Sequence, residues 1–165
     1  PISATQAAEA MDGLAASGEV DEVVKAVVEA MKTADALIVG SPVYFASPTG
    51  EIVSFLDRLF WTARDELRFK PGAAIASARR GGTTATLDVL NKYFLISQMP
   101  IVSSCYWNII HGNTPEEILQ DEEGIQIMRT VGTNMAWLLK SIEAGKRSSI
   151  LQPVAKERVL TNFIR

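Results

Sequence analysis

The sequence has 165 residues, the length of one typical domain, and its 47% hydrophobic and 21% charged residues are ordinary for a globular protein. A formal net charge of -3 gives no electrostatic reason to expect nucleic acid or an anionic membrane as a partner. No apolar run approaches the roughly 18 residues that span a bilayer, and the first residues lack the basic-then-apolar order of a signal peptide. We therefore expect a soluble, cytoplasmic protein.

The single cysteine, Cys105, limits the chemistry that the chain can support. One thiol cannot form an internal disulfide, and it offers no paired spacing for zinc or for an iron–sulfur cluster. We therefore predict no metal site, and a lone cysteine fits a reducing compartment.

The N-terminal third leads into a first strand. Residues 1–20 are rich in alanine and small polar residues, which predicts helix fragments or loop. Asp21 is suited to cap a helix with one apolar stripe, formed by Val23, Val24, Val27, Val28 and Met31. The uninterrupted aliphatic run at residues 36–40 then predicts a fully buried strand.

A conspicuous loop, residues 40–50, follows this strand. Ser41 and Pro42 are expected to break the ladder, with Ser47 as an N-cap and Pro48 at the first helical position. Apolar residues at helical spacing predict a helix after the loop, and they are Ile52, Val53, Leu56, Leu59 and Phe60. In open α/β sheets, ligands bind outside the carboxyl ends of the strands, where this loop would lie.

The strand, loop and helix pattern then recurs twice. Residues 73–78 form a small-residue run that predicts a second buried strand, followed by a glycine loop and a helix that carries Leu87, Leu90, Tyr93, Phe94 and Ile96. Residues 101–107 predict a third strand, and residues 108–115 a third loop. A long helix with its N-terminus near Asp121 is expected to end at Gly145.

This alternation predicts a doubly wound parallel α/β sheet, with helices in a layer on each face. We predict one domain over residues 1–145. The remaining residues, 146–165, mix basic and apolar side chains and are interpreted as an arm that contacts a neighbouring subunit.

Residues 34–45, Gly50 and residues 55–58 together resemble the flavodoxin-fold NAD(P)H-dependent FMN reductases, and the later segments 70–72, 79–82 and 121–124 resemble the iron–sulfur flavoprotein branch. The resemblance implies a flavodoxin-like sheet ordered 2-1-3-4-5, of which this chain supplies the last three strands. Counterparts of the family's first strand, its phosphate-binding loop and the branch's cysteine motif are not recognisable. A flavin without a cluster is therefore expected.

The resemblance also implies a flavin site. One wall would be the residues Ser41, Pro42, Val43, Tyr44 and Phe45, and the second would be the loop residues Ala78, Arg79, Arg80, Gly81 and Gly82. The substrate or nicotinamide would approach Trp107, His111 and Gly112. Other roles stay open at this point: a tight core-covering connection for the first loop, surface or dimer contacts for the arginines, and structural roles for Trp107 and His111.

The resulting hypothesis is an oxidoreductase that passes electrons from NAD(P)H through bound FMN to a quinone, another flavin or a protein acceptor. No side chain needs to act as acid or base, because the flavin carries the electrons. The alternatives are an electron-transfer flavoprotein without NAD(P)H activity, and a flavodoxin-like module that no longer binds FMN. A homodimer or homotetramer is expected.

Overall fold

The computed structural model describes residues 22–154 and residue 159. Within this part of the chain, nine elements follow one another: α1 Glu22–Thr33, β1 Leu37–Pro42, α2 Gly50–Thr62, α3 Arg64–Leu67, β2 Gly72–Ala78, α4 Thr83–Ile96, β3 Ile109–His111, α5 Pro115–Ile118 and α6 Glu122–Arg147. The three strands are parallel and lie in the order β1, β2, β3. The predicted parallel α/β sheet is confirmed.

Helices cover both faces of the sheet. Side chains of a strand alternate between the two faces, and those of the buried strand β2 are small and apolar on both, so each face can pack against helices. Ala74 and Ala76 belong to a core cluster with Leu59 of α2 and Phe94 of α4. Ala73 belongs to a second cluster with Val131 and Met135 of α6. Small side chains in β2 allow this close packing; a Cβ on Gly72 would lie 2.6 Å from the ring of Phe94. The three-layer architecture is thus present.

Strand β1 differs from the prediction in extent and in burial. It runs to Pro42, which stays in register with Ser77, so Ser41 and Pro42 do not break the ladder. The prediction of a fully buried strand was wrong, since Ile38 is 50% exposed. The physical reason is position, because β1 is an edge strand of the described sheet.

The third strand lies later in the chain than the predicted residues 101–107. Ile101 only bridges Gly72, and residues 103–107 then leave the sheet. The ladder resumes where the Ala76 N–H donates to the Asn108 carbonyl at 3.0 Å, and β3 is Ile109–His111. Ser104 explains the excursion, because its hydroxyl donates to the Tyr106 carbonyl at 2.6 Å and turns the backbone locally.

Two helix termini also differ from the prediction. Helix α2 is capped by Thr49, not Ser47, and begins at Gly50, so Pro48 lies before the helix. Helix α6 continues past Gly145 to Arg147 and ends in a Schellman-type turn, in which the Ile150 N–H donates to the Gly145 carbonyl at 2.9 Å.

Three smaller expectations complete the comparison. The stripe of α1 is correct for Val24 and Met31, which are buried, and wrong for Val23, which is exposed. Ile96 is exposed at the end of α4. The predicted cap Asp21 and residues 1–20 lie outside the described residues.

None of the described helices has the length and apolarity to cross a membrane.

Candidate functional site

A tight hairpin forms the first wall of the candidate site. The N–H groups of Tyr44 and Ser47 each donate to the other's carbonyl, at 2.9 and 3.0 Å. The central residues Phe45 and Ala46 have φ of 52° and 58°, the left-handed pair of a type I′ turn, which favours glycine or asparagine. Backbone strain of this kind concentrates at functional loops, where the surroundings hold it in place. The turn presents Phe45 fully to solvent, at 105% exposure.

Ser41 fixes the base of this hairpin from a buried position. Its hydroxyl accepts the N–H of Thr49 at 3.1 Å and donates to the Pro42 carbonyl at 2.8 Å. Thr49 in turn caps α2 by accepting the Ile52 N–H at 3.3 Å. The end of β1, the hairpin and the start of α2 are therefore connected through one serine.

The loop after β2 packs directly on this hairpin. Gly82 has φ of 88°, and a Cβ there would lie 2.8 Å from Ala46 Cα and 2.9 Å from Val43 Cγ1. Only glycine combines this conformation with this close approach. The two predicted walls, Ser41–Phe45 and Ala78–Gly82, are thus brought together.

The N-terminus of α4 is open. Gly82 provides no side-chain cap for α4, whereas Thr49 and Asp121 cap α2 and α6. Within residues 22–154, the backbone N–H groups of residues 79–82 donate to no carbonyl or side chain. A Cβ on Gly81 would meet nothing within 4 Å. Uncommitted N–H groups at a helix N-terminus attract partial or full negative charge.

The end of β3 joins the same edge of the sheet. His111 pairs with Ala78, and the Gly112 N–H donates to the Ala78 carbonyl at 3.1 Å. His111 is the last residue of β3, so the prediction that placed it in a loop was wrong, whereas Gly112 does follow the strand. Both lie beside the second wall.

Asp121 holds the end of β3 against α6. Its carboxylate accepts the His111 N–H at 2.6 Å and the Gly124 N–H at 2.9 Å. Its Oδ2 also lies 3.8 Å from Nδ1 of His111. A Cβ on Gly124 would lie 2.3 Å from that oxygen, so glycine makes the contact possible. Sequence reasoning gave Asp121 only a helix-terminus role and missed its link to His111.

Aromatic and cationic side chains surround the site without being buried in it. Trp107 packs edge-on against Tyr106, with ring centroids 4.6 Å apart, and both are exposed. Arg79 and Arg80 are also exposed. Trp107 lies in the segment before β3, and its alternative role as a core residue is wrong. Whether any of the thirteen predicted site residues touches a ligand stays a prediction.

The described residues contain no cluster of three or more His, Cys, Asp or Glu side chains that would suit a metal ion. Cys105 is an exposed free thiol, 3.8 Å from the Thr130 hydroxyl. The local chemistry therefore consists of backbone donors, aromatic rings and one His–Asp pair.

Comparison with known proteins gives consistent matches. A family model described as NADPH-dependent FMN reductase matches residues 6–114. The iron–sulfur flavoprotein MJ1083 of Methanocaldococcus jannaschii is 31% identical over 137 residues, which cover 76% of this chain and 67% of that protein. A second one from the same organism, MJ0731, is 30% identical over 62% of this chain, which spans only 58% of its length.

Solved structures agree on the fold. The flavoenzyme NAD(P)H:(acceptor) oxidoreductase FerB of Paracoccus denitrificans has a TM-score of 0.59 and 19% identity, over 78% of this chain and 72% of that one. The flavodoxin, WrbA-like protein of Agrobacterium tumefaciens has a TM-score of 0.50 and 20% identity, over 64% and 69%. These likenesses show a flavodoxin-like fold.

Proposed function

The chain belongs to the NADPH-dependent FMN reductase family, a family of flavin-dependent oxidoreductases, and we propose that it passes electrons from NAD(P)H through bound FMN to an acceptor. The acceptor would be a quinone, another flavin or a protein. The chain spans only part of the curated relatives' length. The donor nucleotide and the acceptor are therefore part of the proposal, and they are inferred from the family.

The observation that supports this function best is the open N-terminus of α4. A flavin ring presents carbonyl oxygens and ring nitrogens along one edge, and that edge becomes more negative when the ring is reduced. The uncommitted N–H groups of residues 79–82 and the start of α4 suit such an edge, while Gly81 leaves room for it. The residues present therefore fit a flavin, which would supply the redox chemistry itself.

The other walls support the same arrangement. The hairpin Ser41–Phe45 would line the ring through its backbone, with Tyr44 and Phe45 beside it. Trp107, His111 and Gly112 would receive the nicotinamide or the acceptor. No metal enters this proposal.

We also propose a homodimer or homotetramer in a reducing compartment, the cytoplasm. Apolar side chains of the C-terminal arm support the oligomer, because Ile150, Leu151, Val154 and Val159 are all largely exposed. The free, exposed thiol of Cys105 supports the compartment.

The proposal is tested with protein from the complete coding sequence. Purified protein is expected to be yellow or to bind added FMN, and anaerobic NADPH or NADH is expected to bleach the flavin band within seconds. Colourless protein that fails to bind FMN would overturn the proposal. Bound FMN that neither nucleotide reduces would instead indicate an electron-transfer flavoprotein.

A matched pair of variants tests the location. Gly81→Val places a branched side chain over the N–H groups of the second wall, and FMN affinity is expected to fall at least about tenfold. Gly132→Val makes the same change on the exposed face of α6, where a Cβ also meets nothing within 4 Å, and FMN affinity should not change. Equal affinity in both variants would contradict the proposed location.

A further inference from the structure

We propose that two copies of this chain associate through one side of α6, with their α6 helices antiparallel. This inference rests on the proposed oligomer and identifies the surface that forms it. The surface, named the apolar strip, runs along the helix and contains five exposed side chains, those of Tyr106, Trp107, Trp137, Ile150 and Leu151.

Trp137 lies in the middle of the apolar strip. Among the large apolar side chains of α6, a helix that the structure describes completely, it alone is exposed, at 70%. Thr130, Asn134, Ser141 and Gly145 lie at steps of three or four residues before and after it, so all five share one side of the helix. An exposed tryptophan among polar and small neighbours is typical of an anchor residue in a protein–protein interface.

The aromatic end of the apolar strip is attached to the first half of this side. Nδ2 of Asn134 donates to the Ser103 carbonyl at 2.8 Å, which holds the segment before β3 against the helix. Tyr106 and Trp107 continue this segment toward the N-terminus of α6, where Tyr106 lines a small cavity together with Glu123. Both aromatic rings are about half exposed.

The beginning of the C-terminal arm forms the other end of the apolar strip. The Ile150 N–H donates to the Gly145 carbonyl at 2.9 Å, and a Cβ on Gly145 would lie 3.8 Å from Ile150. Leu151 follows and is 87% exposed. Thr130 precedes Trp137 by about 11 Å along the helix axis and Gly145 follows it by about 12 Å, at 1.5 Å per residue. The two ends of the strip are therefore nearly equidistant from Trp137.

This spacing makes the apolar strip complementary to a second copy of itself. A two-fold axis that passes close to Trp137 and perpendicular to α6 repeats every contact between residues i and j as a contact between j and i. The aromatic pair of each copy then packs on the arm of the other, and the two Trp137 side chains meet near the axis. Parallel helices would instead place each end of the strip against its own equivalent.

The charges at the two ends of α6 favour the antiparallel arrangement. The first turn carries two acidic residues and the last turn two basic ones, and all four are exposed: Glu122, Glu123, Lys146 and Arg147. Arg147 also pairs with Glu143 of its own chain at 3.1 Å, and Lys140 keeps that end basic. An antiparallel contact brings the acidic end of each helix to the basic end of the other, whereas parallel helices would juxtapose like charges.

The size of the apolar strip suits a stable contact. A buried aromatic side chain covers roughly 150–250 Å², and each copy supplies three aromatic and two aliphatic side chains. Two copies together would bury on the order of 1,000 Å², which reaches the range of specific interfaces. The partner's arm would also border Trp107, where the proposed function places the nicotinamide or the acceptor.

The first test measures mass by size-exclusion chromatography with light scattering, on protein from the complete coding sequence. Trp137→Glu places a charge at the centre of the contact and is expected to raise the dissociation constant at least about 100-fold, so that the mass halves at micromolar concentration. Leu95→Glu, the same change at an exposed residue of α4, should keep the wild-type mass. An unchanged mass in Trp137→Glu, or a monomeric wild type, would overturn the proposal.

The second test keeps Trp137 and uses the single cysteine of the chain. Cys105 lies beside Thr130, 3.8 Å from its hydroxyl, so the antiparallel contact places it near residue 144 of the partner. A short bismaleimide is expected to link Cys105 of one copy to the thiol introduced by Ala144→Cys in the other, as linked peptides in mass spectrometry. Within one chain, and between equivalent thiols of two chains, the separation along the helix is about 21 Å, which such a reagent does not span.

Ser54→Cys, on the exposed face of α2, is the matched control and should give no covalent dimer. Absence of the link from Cys105 in Ala144→Cys, or an equal yield in Ser54→Cys, would overturn the antiparallel contact. Neither test measures flavin binding or reduction, so failure of the proposed electron transfer would leave both results unchanged.

Discussion

Ala46 Cα lies 2.8 Å from the point where a Cβ on Gly82 would stand, so the hairpin after β1 and the loop after β2 pack backbone against backbone. Neither loop can be displaced without the other. The separation between the two predicted walls is therefore determined by the absence of one side chain.

Gly82→Ala should destabilise the protein by about 2 to 4 kcal/mol, through the left-handed φ and the clash with Ala46. Urea unfolding of the FMN-free protein measures the change. Gly81→Ala is the matched control, because its Cβ would meet no atom within 4 Å, and its unfolding free energy should stay within about 0.5 kcal/mol of wild type. Equal losses in the two variants would contradict the packing described above.

Ser41→Ala should cost about 1 to 2 kcal/mol, because the Thr49 N–H loses the acceptor that it has at 3.1 Å. The same variant should loosen the hairpin, so amide hydrogen exchange of residues 43–47 is expected to rise. Ser54→Ala, whose hydroxyl only accepts from the exposed Arg58, serves as the control. Unchanged exchange in Ser41→Ala would show that another contact holds the hairpin.

Tyr93 makes the free energy of unfolding depend on pH in the alkaline range. Its phenol donates to Asp57 Oδ1 at 2.5 Å, and burial, followed by this hydrogen bond, raises the pKa of Tyr93 above its ordinary value. A raised pKa means that the folded state retains a proton which the unfolded state has released. This contribution to stability is therefore complete below the unfolded pKa near 10 and is lost as pH rises above it.

Tyr93→Phe is expected to remove this part of the pH dependence of the unfolding free energy. Urea unfolding between pH 8 and 11 should show wild type losing stability above about pH 10 faster than the variant does. Tyr106→Phe, a change at an exposed tyrosine, provides the control. Parallel stability curves for wild type and Tyr93→Phe would contradict the prediction.

Phe45→Ala should separate binding from stability. The ring is fully exposed, so its removal should change the unfolding free energy by less than about 0.5 kcal/mol. If Phe45 lines the ring as proposed, FMN or acceptor affinity should fall about fivefold. Leu95→Ala removes another exposed apolar side chain, at the far end of α4, and should leave affinity unchanged. Unaltered affinity in Phe45→Ala would leave Phe45 outside the site.

Leu151→Asp should dissociate the proposed oligomer, because it places a charge among the exposed apolar residues of the arm. Size-exclusion chromatography with light scattering reports the mass. Gln152→Asp introduces the same charge at the next residue and should retain the wild-type mass. A monomeric wild type, or an unchanged oligomer in Leu151→Asp, would count against an arm contact.

The sequence was sufficient where one residue pattern extended over several consecutive positions. The small-residue run 73–78 predicted a buried strand, which β2 confirms, and the loops after the strands were predicted from chain direction. The walls around Ser41 and Gly82 were correctly expected at one edge of the sheet. The family resemblance was confirmed by the match over residues 6–114.

The sequence was insufficient where a hydrogen bond competed with the preference of a segment, or joined two residues that no sequence pattern related. Ser47 has the chemistry of an N-cap, but its backbone closes the turn with Tyr44, and Thr49 takes the cap. The aromatic and aliphatic residues 101–107 favour a strand, yet the Ser104 hydroxyl turns the backbone out of the ladder. Asp121 and His111 are ten residues apart, and only the fold reveals that they meet.

Pro42 has one further consequence, for hydrogen bonding along the outer side of β1. The Leu37 N–H donates to Pro71 and the Val43 N–H to Ser77, so odd-numbered residues face β2 and even-numbered ones face outward. Ile38 and Gly40 could therefore donate to an added strand, but Pro42 has no N–H to offer. A strand that joins this edge would therefore receive hydrogen bonds from Ile38 and Gly40 but none from Pro42, so its pairing with β1 would weaken where the Ser41 hairpin begins.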